Sequence, residues 1–314
     1  MTNLEETPNL KKTSRQKIWD AAKLVLKITV TSALLYYVFS KVPISDVKDR
    51  LLKANYWWMT VALVCFFAST MVSSWRLLSF FRSIDLNLSR RFNFRLYLLG
   101  LFYNFLLPGG IGGDGYKIWL LNKRYKLPAK QVFWAILFDR LSGLWAIGFI
   151  ICALIIFIPQ IDVHLAIPGA IFIVGSIIYY FVAYKFFKEY TRFFFQAHAK
   201  AVLVQGMQVL TIIFVLFGQN FEGKFAPYLL SFLASALAAV VPITIGGAGA
   251  RETIFTQLSG VFNMDVGLAV FLSISFYLIS LLVALTGIYY VIRTSRLEAG
   301  LPGIEETDTE NTAK

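Results

Sequence analysis

The sequence predicts an all-α integral membrane protein arranged as two inverted repeats, and three observations predict it. Of its 314 residues, 57% are hydrophobic, with a mean hydropathy of +0.64, above the roughly 45–50% apolar content of soluble domains. Several apolar runs reach the ~18–20 residues needed to cross a hydrocarbon core. A glycine-rich break, LPGGIGGDGYK at 107–117, recurs as VPITIGGAGAR at 241–251. The expected architecture is about six full transmembrane helices plus two re-entrant helical hairpins, or eight or more spans if hairpins are counted.

The elements follow in order. The polar start, MTNLEETPNLKKTSRQKIWD, lacks the apolar core and small-residue cleavage site of a signal peptide, so 1–19 is expected as a polar cytoplasmic tail. Spans are expected at 24–42 and at 56–81, the second anchored at the interface by Tyr56, Trp57 and Trp58. The run 92–107 is apolar but short, and it ends at Pro108 and the glycines; a helical pattern resumes over 114–122. A long span at 132–158 carries Asp139 and Arg140, and spans at 165–184 and 201–217 follow. The run 225–241 is again short and again ends in Pro242 and glycine; helix resumes over 250–262, and 266–292 is the last span. The repeats are therefore placed at 20–160 and 161–295, with a polar, acidic, disordered tail at 296–314.

The net charge of +12 is read as basic cytoplasmic loops that set topology and touch anionic lipid heads. No nucleic-acid partner is expected. Let each hairpin leave by the side it entered, and let the N-terminus, with Lys11, Lys12, Arg15, Lys17, Lys23 and Lys27, lie inside. The basic stretches 82–95, 117–130, 185–200 and 293–296 then all fall inside, and both termini are cytoplasmic. PQIDVH at 159–164, GQNFEGK at 218–224 and NMD at 263–265 fall outside and hold a single Lys. The first outer loop departs from the rule, with Lys41, Lys48, Arg50 and Lys53 against Asp46 and Asp49.

Aligned, the breaks read P-x-x-I-G-G-x-G-x-[KR]: Pro108, Ile111, Gly112, Gly113, Gly115 and Lys117 match Pro242, Ile245, Gly246, Gly247, Gly249 and Arg251. Each half is span, span, hairpin, span. Three crossings is an odd number, so the second half is inverted relative to the first. Irregular backbone at membrane depth is tolerated only where it is buried in protein or lines a polar cavity, and paired breaks in inverted repeats mark transporter substrate sites. Close helix packing is the simpler use of such glycines. A nucleotide loop is excluded, because neither copy has the G-x-x-x-x-G-K-[ST] spacing.

Ionisable residues within spans are functional candidates. They are Asp139 and Arg140 in FDRLSGL, Arg251 and Glu252 in GARE, and Asp114 and Lys117 beside the first break. Arg76, in SSWRLL, lies near the end of its span and is expected to snorkel. One reading is mutual neutralisation, Asp139 with an Arg, and Arg251 with Glu252 or Asp114. Adjacent helical residues point in different directions, so each reaches a different partner. The other reading is a site for an anionic headgroup. Arg140 and Arg251 would grip a phosphate bidentately, and N–H groups of Gly112, Gly113, Gly246 and Gly247 would support it at helix N-termini. Asp114, Asp139 and Glu252 would hold those arginines or meet a cationic headgroup; Lys117 completes the set.

Enzyme chemistry has little support. The sequence offers no Ser-His-Asp arrangement and no activated nucleophile beside its carboxylates. Cys65 and Cys152 sit in apolar runs as small hydrophobes, and His164 and His198 are isolated from each other. No metal, cofactor or catalytic residue is expected.

LPGGIGGDGYK, FDRLSGL and PITIGGAGARE, in this order, resemble the lysylphosphatidylglycerol synthase transmembrane region, also called flippase-like integral membrane proteins, over roughly residues 20–295. The resemblance implies a multi-pass protein of a bacterial or archaeal cytoplasmic membrane that handles a lipid, often by moving it between leaflets. In bifunctional members, aminoacyl transfer from charged tRNA to phosphatidylglycerol resides in a separate soluble C-terminal domain. With only a short tail after the last span, this chain is expected to carry the membrane part alone. Relatives beside lipid or glycan glycosyltransferases extend the implied substrates to polyprenyl-linked or sterol-like lipids. The expected function is a lipid transporter or flippase holding an anionic headgroup between two hairpin tips. The alternatives are a membrane component of lipid modification, such as aminoacyl-phosphatidylglycerol or polyprenyl-lipid synthesis, and a structural membrane partner. Expected partners are the lipid, the bilayer, and a second copy or a lipid-synthesis enzyme.

Overall fold

Hydrocarbon offers no water to backbone N–H and C=O groups, so a greasy chain satisfies them within helices. The computed structural model describes residues 14–106, 112–158, 161, 164, 166–240, 244, 247–293 and 297, and among these there is no strand. The helices are α1 (Ser14–Lys41), α2 (Ile44–Lys53), α3 (Tyr56–Ser83), α4 (Arg90–Leu106), α5 (Gly112–Tyr125) and α6 (Ala129–Ile155). They continue with α7 (Ala166–Phe186), α8 (Phe194–Gly218), α9 (Phe225–Val240), α10 (Ala250–Phe262), α11 (Val266–Leu285) and α12 (Ile288–Ile292). Among the described residues, α3, α6, α7, α8 and the stretch Val266–Ile292 are long and apolar enough to cross a membrane. A sixth span is reached if α1 is counted with α2, which bends from it by 77°.

Helix α2 is absent from the sequence reading. Its charged residues 46–53 make it look like loop, and tertiary contacts hold it. Arg50 Nη2 pairs with Asp265 Oδ2 at 2.8 Å, and Gln219 Nε2 donates to the Arg50 carbonyl at 3.1 Å. The Asn55 N–H donates to the Gly218 carbonyl at 2.8 Å, while the Asn55 side chain caps α3 by accepting from the Trp57 N–H. Asp265 caps α11 by accepting from the Leu268 N–H at 2.9 Å. The segments around 50, 219 and 265 therefore share one end of the molecule. At the other end, Arg192 pairs with Asp85 at 2.8 Å, the Tyr190 hydroxyl donates to the Gln131 carbonyl, and Leu297 joins the core with Leu86 and Leu88. The two ends group the same loops as the charge pattern does.

The largest contact between helices is α3 on α8. Small side chains are buried on both helices, Ser69, Thr70 and Ser79 of α3 and Ala197 and Ala201 of α8, and Cys65 and Ser79 of α3 bond to Met207 and Lys200 of α8; Ser74 is turned to Asn93 of α4. Small residues let backbones approach where no hydrophobic effect drives association. The α3 hydroxyls do not stay orphaned. Ser69 donates to the Phe66 carbonyl and Ser73 to the Ser69 carbonyl, at 2.7 and 2.9 Å.

Around this pair stand two shorter helix pairs, α4 with α5 and α9 with α10. Helices α4 and α5 have 17 and 14 residues and α9 and α10 have 16 and 13, or about 20–26 Å each at ~1.5 Å per residue. That falls short of a ~30 Å hydrocarbon core. Helix α4 starts and α5 finishes at the Asp85 end, whereas α9 starts and α10 finishes at the Asp265 end. Helix α4 packs on α11 and α9 packs on α6. Phe105, on the last turn of α4, meets Tyr277 of α11 with ring centroids 5.5 Å apart.

Close packing is one use of the glycines. A Cβ on Gly113 would collide with the Gly100 carbonyl oxygen, so the start of α5 lies directly against α4. A Cβ on Gly115 would meet nothing. We therefore expect Gly113→Ala to lower the thermal midpoint of the detergent-solubilised protein sharply. Gly115→Ala is expected to leave it unchanged or raised, since Ala gains ~1 kcal/mol of helix propensity over Gly. The two ends predict a labelling pattern as well. In a variant lacking Cys65 and Cys152, Cys at Lys123 and Cys at Glu222, both exposed, should react with membrane-impermeant maleimide from opposite faces. Labelling of both from one face would break this arrangement.

Candidate functional site

One group of buried charges is built from α3, α5 and α6. Arg76 of α3 is 7% exposed and grips Asp139 of α6 bidentately, Nε to Oδ1 at 2.8 Å and Nη2 to Oδ2 at 3.1 Å. A Cβ on Gly143, one turn beyond Asp139, would come within 3.2 Å of Arg76 Nη1, so that glycine makes room for the guanidinium. Arg76 therefore does not snorkel. The serines at 69, 73, 74 and 79 mark a polar stripe on α3, and the stripe points Arg76 at protein, not lipid.

Asp139 and Arg140 diverge, as adjacent helical residues must. Arg140 turns to Asp114 of α5, with Nε 2.6 Å from Oδ2. Asp114 is shared, because Lys117 Nζ lies 3.1 Å from its other oxygen. Lys117 is 4% exposed; its ammonium sits 4.9 Å from the Tyr97 ring centroid and its stem lies against Gly100. Arg140 keeps 37% of its side chain exposed. The Gly113 N–H is already satisfied, since it donates to Asn104 Oδ1 at 2.8 Å. Gly113 therefore packs the hairpin and does not offer its amide to an anion. Asn104 escaped the sequence reading; its signal is a lone amide in the apolar run FYNFLL.

The second break is built differently. Gly247 and Gly249 have φ of +84° and +82°, the left-handed region that L side chains avoid. Glu252, 3% exposed, closes the turn internally. Its Oε2 accepts from the Gly249 N–H at 2.7 Å and its Oε1 accepts from the Ser273 hydroxyl at 2.8 Å. Glu252 is thus committed to capping α10 and to α11; it makes no hydrogen bond or ion pair to Arg251 among the described residues. Arg251 stands over the Phe276 ring, 5.4 Å from its centroid. Phe276 is itself fixed edge-on by Phe66 and Phe232. The Arg251 backbone N–H donates to the Gly247 carbonyl at 3.2 Å; among the described residues its guanidinium has no hydrogen bond and no ion pair, and the Thr244 hydroxyl is buried without a partner. Gly112 opens α5; Gly246, with the rest of 107–111, 241–243 and 245, lies outside the described residues.

The predicted site residues thus form two groups. Asp114, Lys117, Asp139 and Arg140 are joined with Arg76 and Tyr97 around the first break, and Arg251, Glu252 and Gly247 form the second. Together the two groups hold four cations (Arg76, Lys117, Arg140, Arg251) and three carboxylates (Asp114, Asp139, Glu252). The segments 107–111 and 241–246 contain no ionisable residue.

Removing one partner of a buried ion pair leaves an uncompensated charge, which costs ~3–5 kcal/mol, while replacing both with apolar residues is often neutral. Asp139→Asn should accordingly lower the thermal midpoint strongly, and Arg76→Met combined with Asp139→Leu should recover most of the loss. Arg192→Ala, at an exposed pair with Asp85, should have almost no effect. Thermal unfolding in one detergent compares the three.

Among curated proteins, none matches this chain as a relative. Residues 24–287 match the family described as Lysylphosphatidylglycerol synthase TM region. The match runs from α1 to the end of α11 and takes in both breaks and both charge groups. This multi-pass membrane chain belongs to the lysylphosphatidylglycerol synthase transmembrane-region family.

Proposed function

We propose that this protein moves an anionic lipid between leaflets, its headgroup held by Arg140 and Arg251 between two glycine-broken hairpins while the tails stay in the bilayer. The family carries a role in membrane lipid modification or transport. The observation that carries the finer reading is Arg251. A buried guanidinium with no carboxylate hydrogen bond among the described residues is costly, and the two charge groups hold one positive charge in excess. A bound phosphate offers the missing charge and a bidentate acceptor. Arg140, partly exposed and anchored by Asp114, stands as the second grip. Asp114, Asp139 and Glu252 act as positioning residues that orient the cations and the second break.

Helix packing supports the inverted-repeat reading. The α3–α8 contact lies where a two-fold axis would fall. Exchanging halves turns the α4–α11 contact into α9–α6 and the α5–α6 contact into α10–α11, and all four contacts occur. In this reading the first hairpin dips from the basic, cytoplasmic end and the second from outside, with both termini in the cytoplasm. Alternating exposure of the two tips then moves the headgroup across.

The test is leaflet exchange in liposomes with fluorescent phosphatidylglycerol and, as control, phosphatidylcholine. The full chain should accelerate exchange of the anionic lipid selectively. Arg140→Ala and Arg251→Ala should each cut it at least tenfold, and Arg251→Lys should retain part, since an ammonium replaces the charge but not the fork. Arg251→Ala should leave the thermal midpoint near wild type, because it strands no carboxylate. Unchanged exchange in both Ala variants, or no protein-dependent exchange of any anionic lipid, would sink the proposal. Altered lipid species on gene deletion, with leaflet distribution unchanged, would favour lipid modification instead.

A further inference from the structure

At the Asp85 end of the molecule, cations from α3, α4 and α8 meet at one edge of the α3–α8 contact. Lys200, on the second turn of α8, lays its ammonium on α3. Its Nζ is 2.7 Å from the Ser79 hydroxyl oxygen and 3.5 Å from the Trp75 carbonyl oxygen. Arg82 follows Ser79 by one turn at the end of α3, and Arg90 opens α4. Both lie close enough to repel the Lys200 ammonium. Among the described residues, neither guanidinium makes a hydrogen bond or an ion pair, and no carboxylate pairs with Lys200. The sequence leaves little to pair with. Helices α3, α4 and α8 contain no Asp or Glu, and the loop 84–89 holds one, Asp85, which Arg192 already takes at 2.8 Å.

Away from this end the same edge turns apolar. Trp75 precedes Arg82 by two turns of α3, about 10 Å along the axis, and is 38% exposed. Leu203, one turn deeper than Lys200 on α8, is 53% exposed. Exposed apolar side chains of a membrane bundle meet lipid tails, and Trp favours the boundary between tails and headgroups. With Trp75 at that boundary, Arg82, Arg90 and Lys200 fall at the depth of lipid phosphates.

Basic loops attract anionic lipid in general, and that attraction selects no particular place. Three cations on one edge, the central one fixed to α3, do select one. A free anion would use the cations alone; the apolar wall beside them fits a ligand that carries tails as well as a phosphate. A zwitterionic lipid would bring a fourth cation among like charges. We propose that this edge holds one anionic phospholipid of the leaflet at the basic end, its phosphate between Arg82, Arg90 and Lys200 and its tails along Trp75 and Leu203. The two arginines supply charge-assisted hydrogen bonds, and Lys200, positioned by Ser79, supplies a third. The site shares no residue with Arg140 and Arg251 and does not depend on the transport reading.

Photoaffinity labelling of the full chain in phosphatidylcholine nanodiscs tests it, with phosphatidylglycerol and phosphatidylcholine probes that carry a diazirine in the first carbons of one tail. The phosphatidylglycerol probe should label residues 75–83 of α3 or 194–203 of α8 several-fold more than the phosphatidylcholine probe. Arg82→Gln combined with Arg90→Gln should cut that labelling roughly tenfold, since each cation near the surface adds to the attraction. Neither change strands a carboxylate, so the variant should assemble. Arg90→Glu is the second variant; a carboxylate suits the first turn of a helix, and labelling should fall again. Lys185→Gln combined with Lys188→Gln removes the same charge from exposed positions at the same end and should leave labelling unchanged. Excess inorganic phosphate should not displace the lipid. Equal labelling by the two probes, labelling that survives both arginine variants, an equal loss in the lysine variant, or displacement by inorganic phosphate would overturn the assignment.

Discussion

The bidentate pair between Arg76 and Asp139 is the interaction on which the centre of this protein depends. In hydrocarbon neither charge has water to fall back on, so each needs the other. The pair fixes the rotation of α6 against α3. Because neighbouring helical residues diverge, that rotation sends Arg140 the other way, onto Asp114 at the start of α5. One ion pair thereby sets the position of the next, and the first hairpin is held to the bundle by the second. The Gly143 contact with Arg76 and the Gly100 contact with Lys117 are parts of the same arrangement, since both make room for a long cation where a larger residue would collide.

The two glycine-rich breaks answer one constraint in different ways. Each is followed by a helix start whose first backbone amides need partners. At the first, a side chain from the preceding helix, Asn104, takes up the Gly113 amide. At the second, Glu252 reaches back from the following helix to Gly249, and the left-handed conformations of Gly247 and Gly249 shape the turn. Both hairpins are capped from within. The Gly113 and Gly249 amides are thus already satisfied within the protein, and they offer a ligand less than glycine-rich loops suggest. Committing Glu252 to the cap is also why, among the described residues, no carboxylate hydrogen-bonds Arg251.

Much of this was legible in the sequence. The helices, their breaks and the buried charges follow from hydropathy, proline, glycine and the rarity of ions in spans. The divergence of Asp139 and Arg140 follows from helix geometry alone. Arg76 was misread because its place near the end of a span suggested snorkelling, although the serine stripe around it pointed inward. Asn104 and the capping role of Glu252 were hidden because capping depends on the conformation of the break. Helix α2 was hidden because its charges are paid for by Asp265, more than 200 residues away in the chain.

By itself the sequence determined a helical membrane bundle with two matched interruptions and equal numbers of cations and carboxylates beside them; the burial of Arg76 adds a fourth cation. These are local properties: each depends on residue type and on spacing within a few turns. Only the tertiary structure decided which charge meets which. Arg76 and Asp139 are 63 positions apart, and Asp114 and Arg140 are 26 apart. The sequence offers each arginine several carboxylates in plausible reach, and composition cannot rank them. What ranks them is which helix faces meet, and that follows from small residues allowing α3 to lie on α8 and α5 on α4, a property of paired surfaces and not of any single helix.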